Sequence, residues 1–203
     1  MTRGSAEQWP DPNFQIGQHE HLHALGVIIA TYNLLESTLL HLCNELLMLE
    51  PEFGHRLFAQ MPIDKVMELA KSEFEAREND PEVKVRVTHF FAGFGNLKGT
   101  RDYLAHSHTI LNTPDQVHLT FGKGSRKHPT AWTFAHMKVE ELREVADGMK
   151  AFWLYGSSLH AFVVARKTGG FLDFGRLGSH VPVLPIIPVL PTVLDKSSHG
   201  VVE

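Results

Sequence analysis

The chain has 203 residues, enough for one domain with a hydrophobic core, and its 43% hydrophobic and 21% charged shares are those of an ordinary globular protein. A formal charge of -4, from 19 basic and 23 acidic side chains, excludes a general polyanion-coating role but leaves room for a local basic patch. The single cysteine, Cys43, excludes an internal disulfide or a cysteine metal cluster and points to a reducing compartment.

Met1 to Gln18 lack the apolar run of a signal peptide, and no uninterrupted apolar run approaches ~20 residues. A soluble, cytoplasmic protein with no membrane association is therefore expected. Charge is distributed unevenly. Residues 64–82 hold seven acidic and three basic side chains, whereas 97–130 hold five basic and two acidic, together with His106, His108, His118 and His128.

Residues 1–17, punctuated by Pro10, Pro12 and Gly17, read as a flexible lead-in. A long helix is predicted from about Glu20 to Glu50. Ile28, Tyr32, Leu35, Leu39, Leu42, Leu46 and Leu49 follow alternating steps of four and three, and Pro51 is expected to end it. Val27, Ile29, Leu34, Leu40 and Leu47 widen its apolar surface, as packing on two sides in a bundle or homodimer would require. Cys43, mid-helix among leucines, reads as a buried inert thiol.

One or two shorter helices follow between Glu52 and Glu78, with Pro62 and Asp64 near a start and Asn79 near an end. Asp80-Pro81 is a helix start signal: a carboxylate for the free backbone N–H groups, then a residue that needs none. The helix it opens carries Val83, Val87, Phe90, Phe94, Leu97, Arg101 and Leu104 on one stripe, so Arg101 is expected on an apolar face.

From Leu111 the period changes to two. Val117, Leu119 and Phe121, then Trp132 and Phe134, alternate with polar residues around the basic turn Gly122 to Pro129, which predicts a β-hairpin over about 116–136. A last long helix, about Val139 to Lys167, is stopped by Gly169-Gly170. Residues 169–203 form an extended tail in which Pro182, Pro185, Pro188 and Pro191 recur every third residue, the period of polyproline II. Its aliphatics favour docking on its own domain or a partner subunit over acting as an exposed PxxP ligand.

The predicted fold is thus all-α, an up-and-down helical bundle over 18–168 with a small β-hairpin insertion and a proline-rich tail. Its clearest functional stretch is Arg101-Asp102-Tyr103-Leu104-Ala105-His106. A guanidinium can hold a scissile phosphate and stabilise its developing charge. An imidazole titrates near neutrality and can take a ribose 2′-OH proton or protonate the leaving oxygen. Neither task needs a metal or cofactor.

An Arg, a polar residue, and a His closing an apolar helix resemble the motif of the HEPN superfamily, with Arg101, Asp102 and His106 in the three places; the long helix carrying Asn33 to Glu36 also fits that family's bundle. The resemblance spans residues 20–167 and is one of pattern outside the motif. It implies a homodimer whose two Arg/His pairs meet across the interface. It also implies either a metal-independent endoribonuclease of a toxin–antitoxin or defence system, or a non-catalytic module that binds RNA, an antitoxin or a regulatory protein. Some members of the family carry a modifiable tyrosine two residues after the histidine; here that position is His108.

In an unbroken helix Arg101 and His106 lie about 140° apart, while Arg101 and His108 nearly superpose over two turns. A structural alternative pairs Arg101 with a carboxylate such as Glu36 and leaves His106 as a helix cap. Expected RNA contacts beyond the motif are His108, Lys98, Lys123, Arg126 and Lys127.

Two lookalikes carry less. His19-Glu20-His21-Leu22-His23 matches H-E-x-x-H, which would make a zinc-dependent hydrolase of His19, Glu20 and His23, with His41 or Glu45 as conceivable third ligands. Gly93, Gly95 and Gly99 around Lys98 imitate a phosphate loop without its preceding strand, and read better as sites of close helix approach.

Overall fold

The computed structural model describes residues 19–110, 118–124, 132–169, 172–173, 179–180 and 183–191. The lead-in expected over 1–17 and the basic turn beyond Gly124 lie outside these residues. Among the described residues the chain is mostly α-helical with a small antiparallel β insertion. Its elements run α1 (His19–Leu47), α2 (Pro51–Phe58), α3 (Ile63–Arg77), α4 (Pro81–His106), β1 (His108–Ile110), β2 (His118–Gly124), β3 (Trp132–Lys138), α5 (Val139–Lys167), β4 (Leu172–Asp173) and β5 (Ser179–His180). Two compact units divide the chain: residues 1–29, 100–146 and 193–203 form one, and residues 30–99 and 147–192 the other.

The second unit is a helical bundle. The predicted stripes are its core: Tyr32, Leu35, Leu39 and Leu42 of α1, Val83, Phe90 and Phe94 of α4, and Met149, Phe152 and Leu159 of α5 are all buried to within 1% exposure. Each such side chain contributes about 1.5–3 kcal/mol by leaving water. α1 is also long and apolar enough, by length and composition, to cross a membrane, although a helix packed into a protein core passes the same test.

Asp80 caps α4 as its sequence position suggests, its Oδ1 accepting the Glu82 N–H at 3.0 Å. α1 stops earlier than Pro51 would impose. Met48 takes a left-handed φ of 56°, the Leu49 N–H donates to the Asn44 carbonyl, and the Asn44 amide donates back to the Leu49 carbonyl at 3.1 Å. Pro51 instead opens α2, where its missing N–H costs nothing.

α4 and α5 approach through an exchange of phenylalanines and glycines. The Phe90 and Phe152 rings stack at 5.7 Å and 7°. A Cβ on Gly93 would lie 2.0 Å from the Phe152 ring, and one on Gly156 would lie 2.3 Å from the Phe90 ring. Gly93 thus serves close approach as expected, whereas Gly95 and Gly99 face no atom within 4 Å. Tyr155 adds a hydrogen bond from its hydroxyl to the Arg86 carbonyl at 2.9 Å.

Val183 to Pro191 is in neither helix nor strand and is tied to α4 at two points. Arg86 Nε donates to the Pro185 carbonyl and Asn96 Nδ2 to the Pro191 carbonyl, each at 2.9 Å. Six residues of polyproline II span about 19 Å and ten helical residues about 15 Å, so one strap can meet both donors. Val183, Ile186 and Val189, three residues apart, make its outer edge, with Ile186 and Val189 each 91% exposed.

Near the α1–α2 turn, His41 lies 5.8 Å from His55 and 6.0 Å from His160, ring centre to ring centre. Burial holds the His160 imidazole below its ordinary value. Glu45 opposes that shift, and His41 and Lys167 reinforce it. Lys167 is itself paired with Glu45 at 2.8 Å.

Three outcomes are expected. Gly93→Ala and Gly156→Ala overpack the Phe90–Phe152 stack and lose about 1–3 kcal/mol in urea unfolding. Gly95→Ala, in open space, gains about 0.5–1 kcal/mol. For His160, the folded state favours the neutral ring, so the unfolded chain takes the proton first. Its share of stability is intact above the ordinary imidazole pKa of about 6.5 and is lost as pH falls below it. Unfolding of wild type against His160→Gln over that range should show the gap; parallel curves would remove this role.

Candidate functional site

The first unit holds the end of α4 against a three-stranded sheet of order β1-β2-β3. The sequence predicts β2 and β3 but not β1, which is too short at three residues to display a period. The register pairs His108 with Gly122, Ile110 with Thr120, Thr120 with His136, Gly122 with Phe134 and His118 with Lys138. Side chains alternate across a sheet, so Leu119, Phe121, Ala135 and Met137 share one face, and all four are buried. His108, His118, Thr120, Phe134, His136 and Lys138 share the other.

Tyr103 fastens α4 to the sheet. Its hydroxyl lies 3.3 Å from both the Phe121 and the Thr133 carbonyls, one on each of two paired strands. Burial pushes the hydroxyl above its ordinary pKa, which outweighs the lowering by hydrogen bonds with Thr133 and Ser107, so it stays a neutral donor. Lys123 Nζ sits 5.9 Å from the centre of the same ring. The helix end is closed by Ser107, whose N–H donates to the Tyr103 carbonyl at 3.1 Å and whose hydroxyl reaches the same oxygen.

On this fastened segment the motif residues take different environments. The Arg101 side chain is 22% exposed and contacts Asp102 Oδ1 at 2.8 Å. That half-buried position explains why a charge is tolerated on the predicted apolar stripe: the next residue supplies the counter-charge. His106, the last residue of α4, is exposed. Because α4 is helical throughout 101–106, the two side chains diverge by about 140° within one chain.

The other expected contacts are scattered. His108 is exposed on β1, and Lys123 is half-buried over Tyr103. Lys98 belongs to the second unit, where it pairs with Asp64 at 3.2 Å. Arg126 and Lys127 lie outside the described residues.

In the H-E-x-x-H stretch, Glu20 faces Arg143 at 3.5 Å. His21, between the two expected zinc ligands, is buried with neither ring nitrogen hydrogen-bonded. Among the described residues no group of three histidine, cysteine or carboxylate side chains is arranged to hold a metal ion. The Cys43 thiol is fully buried and pushed up to about 12, far from a reactive thiolate.

Tyr103, His118, His136 and Lys138 were not named as site residues from sequence, although Tyr103 lies within the motif stretch and His118 was noted in the histidine-rich basic stretch. The signal for the last three is alternation within the strand patterns, but the face they share is defined only by the register. Comparison with known proteins yields no match to a family model, a curated protein or a solved structure.

Tyr103→Phe removes the hydroxyl that bridges two strands while keeping the ring. A loss of about 0.5–1.5 kcal/mol is expected in thermal or urea unfolding. Unchanged stability would show that the hydroxyl does not fasten α4 to the sheet.

Proposed function

We propose that the chain is a HEPN-like, metal-independent endoribonuclease that acts as a homodimer in the cytoplasm, in the manner of a toxin–antitoxin or defence component. The observation that carries this reading is the pairing of a half-buried, carboxylate-oriented Arg101 with an exposed His106 at the end of one helix. Arg101 would bind the scissile phosphate and stabilise the charge on its equatorial oxygens. Asp102 would be a positioning residue, fixing the guanidinium.

Cleavage forms a bond from the ribose 2′-oxygen to phosphorus and breaks the bond to the 5′-oxygen. One subunit's His106 accepts the 2′-OH proton, and the other subunit's His106 gives a proton to the leaving 5′-oxygen. Two chains are needed for a specific reason. The divergence of Arg101 and His106 on one helix leaves a single chain unable to aim both at one phosphate.

That divergence also favours the second reading, a non-catalytic HEPN-like module that binds RNA, an antitoxin or a regulatory protein. The two are separated by incubating RNA with the protein in EDTA. Cleavage that persists in chelator, falls at least about a hundredfold in His106→Ala and falls strongly in Arg101→Lys supports the nuclease. Equal cleavage by wild type and His106→Ala removes it. A folded protein that binds RNA without cutting it leaves the module.

A further inference from the structure

The proline strap leaves one edge in water. Val183 is 80% exposed and Ile186 and Val189 are each 91% exposed, whereas Leu184, Pro185, Ile187 and Pro188 between them are half-buried. Exposure that recurs every third residue fits three residues per turn, so the three side chains form one row, with about 9 Å between neighbours. Leu190, 41% exposed, widens the row at its end. Single exposed aliphatics are ordinary on a protein surface, but a row at this exposure is not. It carries no charge, because the sequence between His180 and Asp195 has no acidic or basic side chain. The guanidinium that anchors the strap is committed elsewhere: Arg86 is bonded to the Pro185 and Glu82 carbonyls and paired with the Glu82 carboxylate at 3.4 Å.

What the row offers separates the kinds of partner it could take. A receptor for proline-rich peptides grips the prolines, and here Pro185, Pro188 and Pro191 are half-buried, with the Pro185 and Pro191 carbonyls bonded to α4. An acidic or basic partner finds no charge to meet. A membrane surface is met with basic and aromatic side chains, which the row lacks. A second copy of the same row fits. A two-fold contact requires a surface complementary to itself. Val183, Ile186 and Val189 read the same from either end, so two straps running antiparallel set each valine against a valine, and Ile186 against its own copy.

We infer that the outer edge of the strap is a self-association surface, on which two copies of this chain pair antiparallel about a two-fold axis at Ile186. Six aliphatic side chains make a small contact, so the dimer belongs to the weak class, with a Kd on the order of 100 µM. The contact stands on the second unit alone. It does not depend on the ribonuclease reading, although that reading also calls for two chains.

The test is sedimentation equilibrium of the full-length chain from about 1 to 500 µM, a range that brackets that Kd. Wild type should pass from monomer to dimer across it. Ile186→Glu places two carboxylates at the axis and should weaken association at least about tenfold, as should Ile186→Lys with two ammonium groups. Mixed in equal amounts, the two variants should associate again, because each carboxylate then faces an ammonium. Ile186 is 91% exposed, so neither substitution disturbs the fold, and urea unfolding like that of wild type checks this.

Recovery in the mixture is the result that a two-fold contact at Ile186 gives and a damaged fold does not. A dimer that Ile186→Glu leaves intact, or a mixture that fails to recover, overturns the surface. A wild type that stays monomeric overturns it too, and binding of that monomer to phosphatidylglycerol vesicles would assign the edge to a membrane instead. Cleavage of RNA in EDTA, present or absent, bears on the nuclease alone.

Discussion

Phe90 and Phe152 stack where α4 and α5 come so close that the residues facing them have no room for a Cβ. The contact works in both directions, since Gly93 of α4 receives the α5 ring and Gly156 of α5 receives the α4 ring. A ring seated on a glycine fixes the separation of two helices more tightly than interdigitating leucines, because the backbone has no rotamer to yield. The bundle's other particular contacts follow from that fixed separation. Tyr155 reaches the Arg86 carbonyl across the same interface, its hydroxyl pushed by burial to about 12. The Arg86 side chain, on the remaining side of α4, holds the proline strap.

Much of this was legible in the sequence because it is periodic. The α5 bounds, the Asp80-Pro81 start of α4 and the buried stripes of α1 and α4 all come from spacing and capping chemistry, which are local. What was not legible depends on partners distant in sequence. Gly93, Gly95 and Gly99 look alike in the chain, and only the position of Phe152 separates the first from the other two. Gly156 gave no signal at all. The end of α1 was misplaced because proline is the louder punctuation, while the operative element is Asn44 closing a turn on a left-handed Met48.

The same division runs through the site. Arg101 was identifiable because a charge on an apolar stripe needs a reason; Asp102 came from the motif resemblance, and its contact with Arg101, where Glu36 was the expected partner, is seen only in the structure. Lys98 was grouped with them by nearness in sequence, yet it is committed to Asp64 in the other unit. His136 and Lys138 are two residues apart on β3 and share a face by alternation, but His118 on β2 joins them only through strand register, where a slip of one residue would move it to the other face.

Arg101 and His106 are the instance in which local rules constrain function most sharply. An arginine on the inner side of a helix and a histidine five residues later cannot converge without breaking that helix, and α4 is unbroken to His106. On the nuclease reading the chemistry must therefore be assembled between two chains. Arg101 is already oriented by Asp102 and so needs little further ordering when a phosphate arrives. His106 stands at an exposed helix end, where a partner's phosphate-bound arginine could be met. On that reading the fastening of the helix end by Tyr103 would also bear on catalysis, because loosening it would misplace both members of the pair together. A half-site held rigid in each chain and completed by symmetry would explain why a diverging pair is tolerated at the end of a tightly packed helix.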